Sequence, residues 1–273
     1  MVSASSVKAL AESLRPLTRN PSKAAIFCDI DGTLAPIVAR PEDSRVREEV
    51  AALLSRLGSR YAMVACVSGR SVAEARLLVG VDAIAYVGSH GAEVLRAGAE
   101  QPELVEAFAS WEGAVRDFVK ERENERELGL LGIRLEDKGP IKALHWRGSP
   151  DEPAAETVLQ GVAREAVAAG LDIHWGRKVL EVRPPVPVDK GRGIRSLMNA
   201  GPVRAALYGG DDATDLDAFD ALDNLTAEGR LDAAVRVGVR SAEGPEAIVS
   251  RADVVVEGVP GFNEVLIALA EAG

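Results

Sequence analysis

Aromatic side chains are scarce in this sequence: Phe, Trp and Tyr together make up 4% of 273 residues. A core built almost without them must rest on Ala, Val, Leu and Ile. Cysteine is scarcer still, with Cys28 and Cys66 alone, each inside a short apolar run with β-branched neighbours. That setting predicts buried, reduced thiols on adjacent strands. No apolar run approaches the roughly 20 residues of a membrane-spanning helix. The first twenty residues read as a short amphipathic helix without the apolar stretch of a signal peptide, so the cytoplasm is the expected location. Tandem repeats and low-complexity segments are also missing.

What is there is the balance of an ordinary globular protein, 47% hydrophobic and 27% charged. Lys and Arg number 32 against 42 Asp and Glu, a formal charge of −10, and the basic residues are scattered. That argues against nucleic acid or an anionic membrane as partner, although a local site can still be positive toward a small anion.

The first half alternates strands with helices. Apolar runs at 24–28, 61–67 and 83–87 read as buried strands, with helical spacing over 44–57 that stops at Gly58. Ser71, with Glu74 three residues on, reads as a capping box. This pattern predicts a doubly wound, mainly parallel α/β sheet, whose sites lie at the carboxyl ends of its strands. Near Arg96 the pattern changes. A helix over 104–128 precedes extended runs at 132–136 and 141–147, and a helix over 154–169 precedes runs at 171–175 and 178–183. Helix–strand–strand, given twice, predicts an α+β unit with an antiparallel sheet, closed by Pro184, Pro185 and Pro187. Thereafter α/β resumes, with a helix over 193–200, a buried strand over 203–208 and a helix from Thr214. The expected organisation is therefore a core of residues 1–95 and 185–273 interrupted by an inserted α+β cap over 96–184.

Candidate chemistry collects at the predicted strand ends. Asp29 and Asp31 follow the first strand, and Gly32 lets the chain turn so that both carboxylates approach one point. Such a pair suits Mg²⁺ or covalent catalysis, and taken alone it suits an acidic turn equally well. Asp211 and Asp215, in Gly209-Gly210-Asp211-Asp212-Ala213-Thr214-Asp215, follow another strand and open a helix. A helix cap accounts for one of these acids, not four. Ser68 with Gly69 and Arg70 ends the second strand and offers a hydroxyl and N–H groups to a phosphate, while Lys190 opens a helix with a positive charge.

Asp29-x-Asp31-Gly32-Thr33, Ser68, Lys190 and Gly210-Asp211-x-x-x-Asp215, in this order, resemble the four motifs of the haloacid dehalogenase superfamily. The resemblance implies that Asp29 attacks phosphorus and Asp31 moves the proton, while Ser68 and Lys190 hold the phosphoryl oxygens. It further implies a Mg²⁺ site made by Asp29, the Asp31 carbonyl and Asp211, with Asp215 supporting it.

Four further runs narrow the class. These are Thr33-Leu34-Ala35-Pro36-Ile37 with Pro41, Gly88-Ser89-His90-Gly91-Ala92-Glu93, Gly176-Arg177-Lys178-Val179-Leu180-Glu181-Val182-Arg183-Pro184, and Gly210 through Phe219. From about Ala24 to Phe262 the chain resembles the trehalose-6-phosphate phosphatase family. Membership would imply hydrolysis of trehalose 6-phosphate, the last step of trehalose biosynthesis. The expected partner is a small sugar phosphate, with a monomer as default.

A disaccharide needs hydroxyl recognition, which charged side chains provide. Period 2 puts Arg177, Glu181 and Arg183 on one strand face and His145 with Arg147 on another, and two such faces would line a sugar pocket. Arg177 stands where the family's pattern implies lysine, which keeps the charge and changes the hydrogen-bond geometry. His145 and Arg147 also fit a solvated sheet face, and His90 a structural loop. Glu181 among apolar neighbours points to a function, because an unpaired buried carboxylate is costly. Arg70 is expected on the phosphate or the first sugar ring. Open alternatives are a phosphatase of another sugar phosphate, such as sucrose phosphate or mannosyl-phosphoglycerate, and a non-catalytic sugar-phosphate sensor.

Overall fold

Each apolar run read as a buried strand holds one, and the residue that follows each strand is polar: Asp29, Ser68, Ser89 and Asp211. The computed structural model describes residues 4–38, 43–123, 126–187, 189–199, 201–241 and 244–272. Pro41, Val188 ahead of Lys190 and Ala200 lie outside the described residues. The chain runs α1 (Ala4–Thr18), β1 (Ala24–Cys28), α2 (Glu48–Arg60), β2 (Met63–Val67), α3 (Val72–Val79), β3 (Ala85–Gly88), β4 (Glu93–Leu95) and β5 (Glu103–Leu104). It continues through α4 (Glu106–Ala109), α5 (Glu112–Glu123), α6 (Arg126–Leu130), β6 (Arg134–Lys138), β7 (Ile141–His145), α7 (Glu152–Ala168), β8 (Asp172–Gly176) and β9 (Val179–Arg183). It closes with α8 (Lys190–Met198), β10 (Ala205–Gly210), α9 (Asp215–Ala227), β11 (Ala233–Arg240), α10 (Glu246–Arg251), β12 (Val254–Glu257) and α11 (Gly258–Glu271). No described helix is long and apolar enough to cross a membrane.

The chain divides into two compact units, Met1–Glu103 with Asp189–Gly273, and Leu104–Val188. The first division falls beyond the Arg96 read from sequence because β4 and β5 carry the larger sheet onward past it.

In the larger unit the described strands run β12-β11-β10-β1-β2-β3-β4-β5. β1 pairs in parallel with β10 on one side and β2 on the other, and β4 lies antiparallel to β3. From β1 the chain first builds outward through β2 and later returns to the opposite side through β10. The strand order therefore reverses beside β1, where such sheets hold their ligands. Both thiols are buried and free, and Cys28 sits opposite Cys66 across the β1–β2 pair. The capping box forms as read, with Ser71 accepting from the Glu74 N–H. α2 runs past Gly58 to Arg60, because Tyr61 donates its N–H to Leu57 and Arg60 caps the carbonyls of Ala270 and Ala272.

In the smaller unit the described strands run β6-β7-β9-β8, all pairs antiparallel. The helix expected over 104–128 is interrupted at Ser110 and Trp111, between α4 and α5, and residues 124 and 125 of it lie outside the described residues. One sheet face sends Leu144, Leu180 and Val182 into a core with Val115 and Phe118 of α5 and Leu159, Val162 and Ala166 of α7. The other face carries Glu136, Lys138, His145, His174, Glu181 and Arg183, as the registers Glu136↔Ala143, Ala143↔Glu181 and His174↔Glu181 require.

The floor beneath β10 is tight. A Cβ on Gly209 would stand 2.1 Å from the Phe262 ring. Gly209→Ala should therefore lower stability by about 1–3 kcal/mol through overpacking, read as a lower urea midpoint with unchanged slope.

Candidate active site

Three adjacent parallel strands deliver most of the residues singled out from the sequence. Asp29 follows β1, Ser68 follows β2 and Asp211 follows β10, while Lys190 opens α8 and Asp215 opens α9. The turn after β1 is closed by Gly32 N–H to Ala35 O at 2.7 Å, with Gly32 at φ +92°, a conformation open to glycine. A side chain there would also lie 2.2 Å from Asp211 Oδ2, so the glycine lets that carboxylate rest against the turn. Thr33, fully buried, donates to Asp211 Oδ1 at 3.4 Å.

Lys190 is the centre. Its buried ammonium donates 2.7 Å to Asp29 Oδ1 and 2.6 Å to Asp215 Oδ1. Asp215 accepts three more donors besides: Tyr208 Oη at 2.5 Å on Oδ1, and the N–H groups of Asp211 and Asp212 at 2.8 and 2.9 Å on Oδ2. A carboxylate has about four lone-pair sites, so protein donors occupy all those of Asp215. It stands behind Asp29 and Asp211, which are less fully engaged, each accepting on Oδ1 from Lys190 and Thr33 respectively.

The electrostatics leave a deficit of positive charge. Asp29, Asp211 and Asp215 bring one oxygen each within 4.8 Å of the others, all three buried, with one ammonium among them. Burial pushes the Asp29 carboxyl well above its ordinary range, with Lys190 pulling it down and Asp215 and Asp211 pushing it further up. Burial alone would depress the Lys190 ammonium, yet Asp215 and Asp29 hold it above its ordinary value, so it stays charged. Asp211 is pushed up to about 7 by burial, then by Asp215 and Asp212. An oxygen-only donor set carrying surplus negative charge fits a hard divalent cation.

Asp31 is turned to other partners. Its two oxygens accept Arg70 Nε and Nη2 at 2.7 and 2.8 Å, a forked pair, and Ser44 donates to it at 3.3 Å. Arg70, expected from sequence on the substrate, thus engages the second aspartate of the turn here. Ser68, buried, accepts the Arg70 N–H on its hydroxyl at 3.1 Å and the His90 N–H on its carbonyl at 3.1 Å. Ser89 and His90 both adopt left-handed φ, +50° and +54°, which non-glycine residues adopt at a cost. Glu93 holds this turn by accepting from Ser89 Oγ at 3.2 Å and the Val72 N–H at 2.8 Å. The His90 ring takes the space a Gly69 side chain would need, 2.6 Å from its Cβ position. Ser68, Gly69 and His90 therefore form one group.

In the smaller unit, Glu181 is buried and accepts Lys138 Nζ at 3.1 Å and Arg183 Nε at 3.0 Å. His145 pairs with Glu136 across β6 and β7. Burial would raise Glu136, but His145 and Lys138 carry it below the usual carboxylate range. Arg147 and Arg177 do not share strand faces with these residues, a correction to the period-2 reading. β7 ends at His145 and β9 begins at Val179, with Arg177 in a hairpin turn whose next residue, Lys178, has φ +62°. Both arginines are exposed, and Arg147 Nη2 reaches the Arg177 carbonyl at 3.5 Å. Sequence reasoning passed over Glu136, Lys138 and Tyr208. The alternation Arg134, Glu136, Lys138 was a usable signal, as was a lone hydroxyl ending an apolar strand.

The trehalose-phosphatase family profile matches residues 27–251. A trehalose-phosphate phosphatase of Mycolicibacterium paratuberculosis is 36% identical over 218 residues, covering 72% of this chain and 51% of that protein. A protein of Mycobacterium tuberculosis described as an uncharacterized glycosyl hydrolase is 35% identical over 205 residues, covering 72% of this chain and 15% of its own length. The chain thus spans about half or less of these curated relatives. The crystal structure of a trehalose-6-phosphate phosphatase related protein superposes with a TM-score of 0.70 at 27% identity, covering 90% of this chain and 96% of that one. The chain belongs to the trehalose-phosphatase family.

Proposed function

We propose that this chain hydrolyses trehalose 6-phosphate to trehalose and inorganic phosphate, with Asp29 as nucleophile. The observation that carries the proposal is the Lys190 ammonium, lodged between Asp29 and Asp215 beside a third buried carboxylate. That arrangement keeps a buried carboxylate oxygen in place and supplies positive charge where a phosphoryl group would sit.

An Asp29 oxygen attacks phosphorus, and the bond from phosphorus to the sugar's oxygen breaks. Asp31 delivers its proton to that oxygen, and trehalose departs. Asp31, now a carboxylate, takes a proton from water as the water oxygen attacks the phosphorus of the aspartyl-phosphate. The bond to Asp29 breaks, and phosphate leaves with both aspartates restored. Ser68 Oγ and Lys190 hold phosphoryl oxygens throughout, and the Arg70 fork sets the direction of Asp31. Asp29, Asp211 and the Asp31 carbonyl are the groups to hold Mg²⁺, with Asp215 behind them. Bound there, Mg²⁺ neutralises charge on the transferring group. Such assistance matters, because acceleration of phosphate-monoester hydrolysis can approach ~10²¹. We assign sugar recognition to the Leu104–Val188 unit, acting as a specificity cap. Its polar sheet face concentrates Glu136, Lys138, His145 and Glu181, with Arg147 and Arg177 at the strand ends. His90 and Gly69 border the phosphate group.

Phosphate release across a panel of sugar phosphates tests the reading. Trehalose 6-phosphate should rank among the best substrates by kcat/KM, activity should vanish with chelator, and Asp29→Asn should lose at least ~10³-fold in kcat with its fold intact. A chain indifferent to that substrate, or an active Asp29→Asn variant, sinks it.

Glu181→Ala should raise KM for the disaccharide by about tenfold or more while leaving that for p-nitrophenyl phosphate near wild type. Equal effects on both esters would remove Glu181 from sugar recognition.

Without metal, the folded chain keeps a proton on Asp211 up to about pH 7, whereas the unfolded chain releases it near pH ~3.9. Unfolding between these values releases a proton, so this contribution to stability is full at low pH and falls as pH rises through 7. In chelator, the melting temperature of the wild type should therefore drop relative to Asp211→Asn between pH 5 and 7, and added Mg²⁺ should abolish the drop. Parallel curves in calorimetry would contradict it.

A further inference from the structure

Tyr208 ends the apolar run Ala205-Ala206-Leu207-Tyr208 of β10 with a single hydroxyl. Its side chain is fully buried and its ring meets Phe219 edge-on, centroids 6.1 Å apart at 85°. A tyrosine so placed can be core packing, and the aromatic pair would then be its whole contribution. The hydroxyl says more. It donates 2.5 Å to Asp215 Oδ1, the same oxygen that accepts Lys190 Nζ at 2.6 Å, and Lys190 donates onward to Asp29 Oδ1 at 2.7 Å. Two side chains and three short hydrogen bonds therefore lead from Tyr208 to the nucleophile.

Sharing one oxygen has a physical consequence. Lys190 is held between two carboxylates, and its position depends on how strongly each attracts it. A hydroxyl donated to Asp215 Oδ1 partly satisfies that oxygen and weakens its claim on the ammonium. It also holds the carboxylate in the plane where Oδ2 meets the N–H groups of Asp211 and Asp212. Remove it, and a buried lone pair loses its donor. The carboxylate then draws Lys190 closer or turns to find another donor. Either way the charge moves off Asp29.

We infer that Tyr208 is a positioning residue, whose hydroxyl fixes Asp215 and thereby sets where Lys190 holds its charge against the nucleophile. The inference rests on the phosphatase reading above. It concerns the rate of the phosphoryl step, not the binding of sugar.

The test is Tyr208→Phe, which keeps the ring and takes only the hydroxyl, assayed with trehalose 6-phosphate and p-nitrophenyl phosphate at saturating Mg²⁺. The expected result is a fall in kcat of about tenfold to a hundredfold for both esters, the range of a lost hydrogen bond to a charged group, with KM within about threefold. Phe219→Leu is the companion variant, since it removes the packed ring and leaves the hydroxyl. It should melt lower than the wild type yet keep kcat within about threefold. A Tyr208→Phe variant with kcat within about twofold of wild type overturns the inference. So does a Phe219→Leu variant that loses as much kcat as Tyr208→Phe, because packing would then explain both. A wild-type chain that hydrolyses neither ester removes the phosphatase reading and this inference together. Normal wild-type turnover with an unaffected Tyr208→Phe removes the inference alone.

Discussion

One buried ammonium organises the larger unit's chemistry. Lys190 sits at the first residue of α8 and reaches the end of β1 through Asp29 and the start of α9 through Asp215. Three buried carboxylates this close repel strongly in a low-dielectric setting, and an isolated buried ammonium would be equally unwelcome. Together they are tolerable, and still short of positive charge. The same cluster that would be a liability in a hydrophobic core is, at the mouth of a parallel sheet, the place proposed above for a phosphoryl group and its counter-ion. The strand order places it there, since β10 and β2 flank β1 in register and each ends within a residue or two of an acid or a hydroxyl.

The smaller unit solves a different problem with a simpler device. Its sheet is two-sided: Leu144, Leu180 and Val182 face the helices, while Glu136, Lys138, Glu181 and Arg183 face the other way. Alternation at period 2 produces both faces from the same short strands. On the polar face Glu136, Lys138, Glu181 and Arg183 are paired with one another or with His145, so these groups are held in set directions. Pre-set hydrogen-bonding groups of this kind discriminate among hydroxyl patterns better than flexible ones, because less order has to be imposed on binding.

Much of this was legible in the residues. Asp29, Ser68, Lys190, Asp211 and Asp215 announce themselves because each follows an apolar strand or opens a helix, where the usual explanation, a cap, cannot account for so many acids. The capping box at Ser71 and Glu74 was readable for the same local reason. Tertiary partners were not. Nothing in the spacing says that Arg70 forks onto Asp31, thirty-nine residues away, or that Tyr208 shares an oxygen with Lys190. Arg147 and Arg177 were misplaced because period 2 was extended past the true strand ends, where a left-handed Lys178 turns the chain. The helix read over 104–128 failed for a related reason: helical composition continues through Ser110 and Trp111, where α4 gives way to α5.

The cysteines, noted at first for their rarity, sit in the busiest part of the molecule. Cys28 immediately precedes Asp29, and Cys66 lies opposite it on β2. Burial pushes both thiols far above their ordinary range, with neighbouring negative groups adding to it. Thiolate, the reactive form, is therefore suppressed at both positions, and solvent does not reach either sulfur. A thiol-directed dye added to the folded chain consequently has nothing to react with until β1 and β2 part. The chain carries its own label for the opening of the strand pair that bears Asp29, and the rate of labelling reads how often that happens.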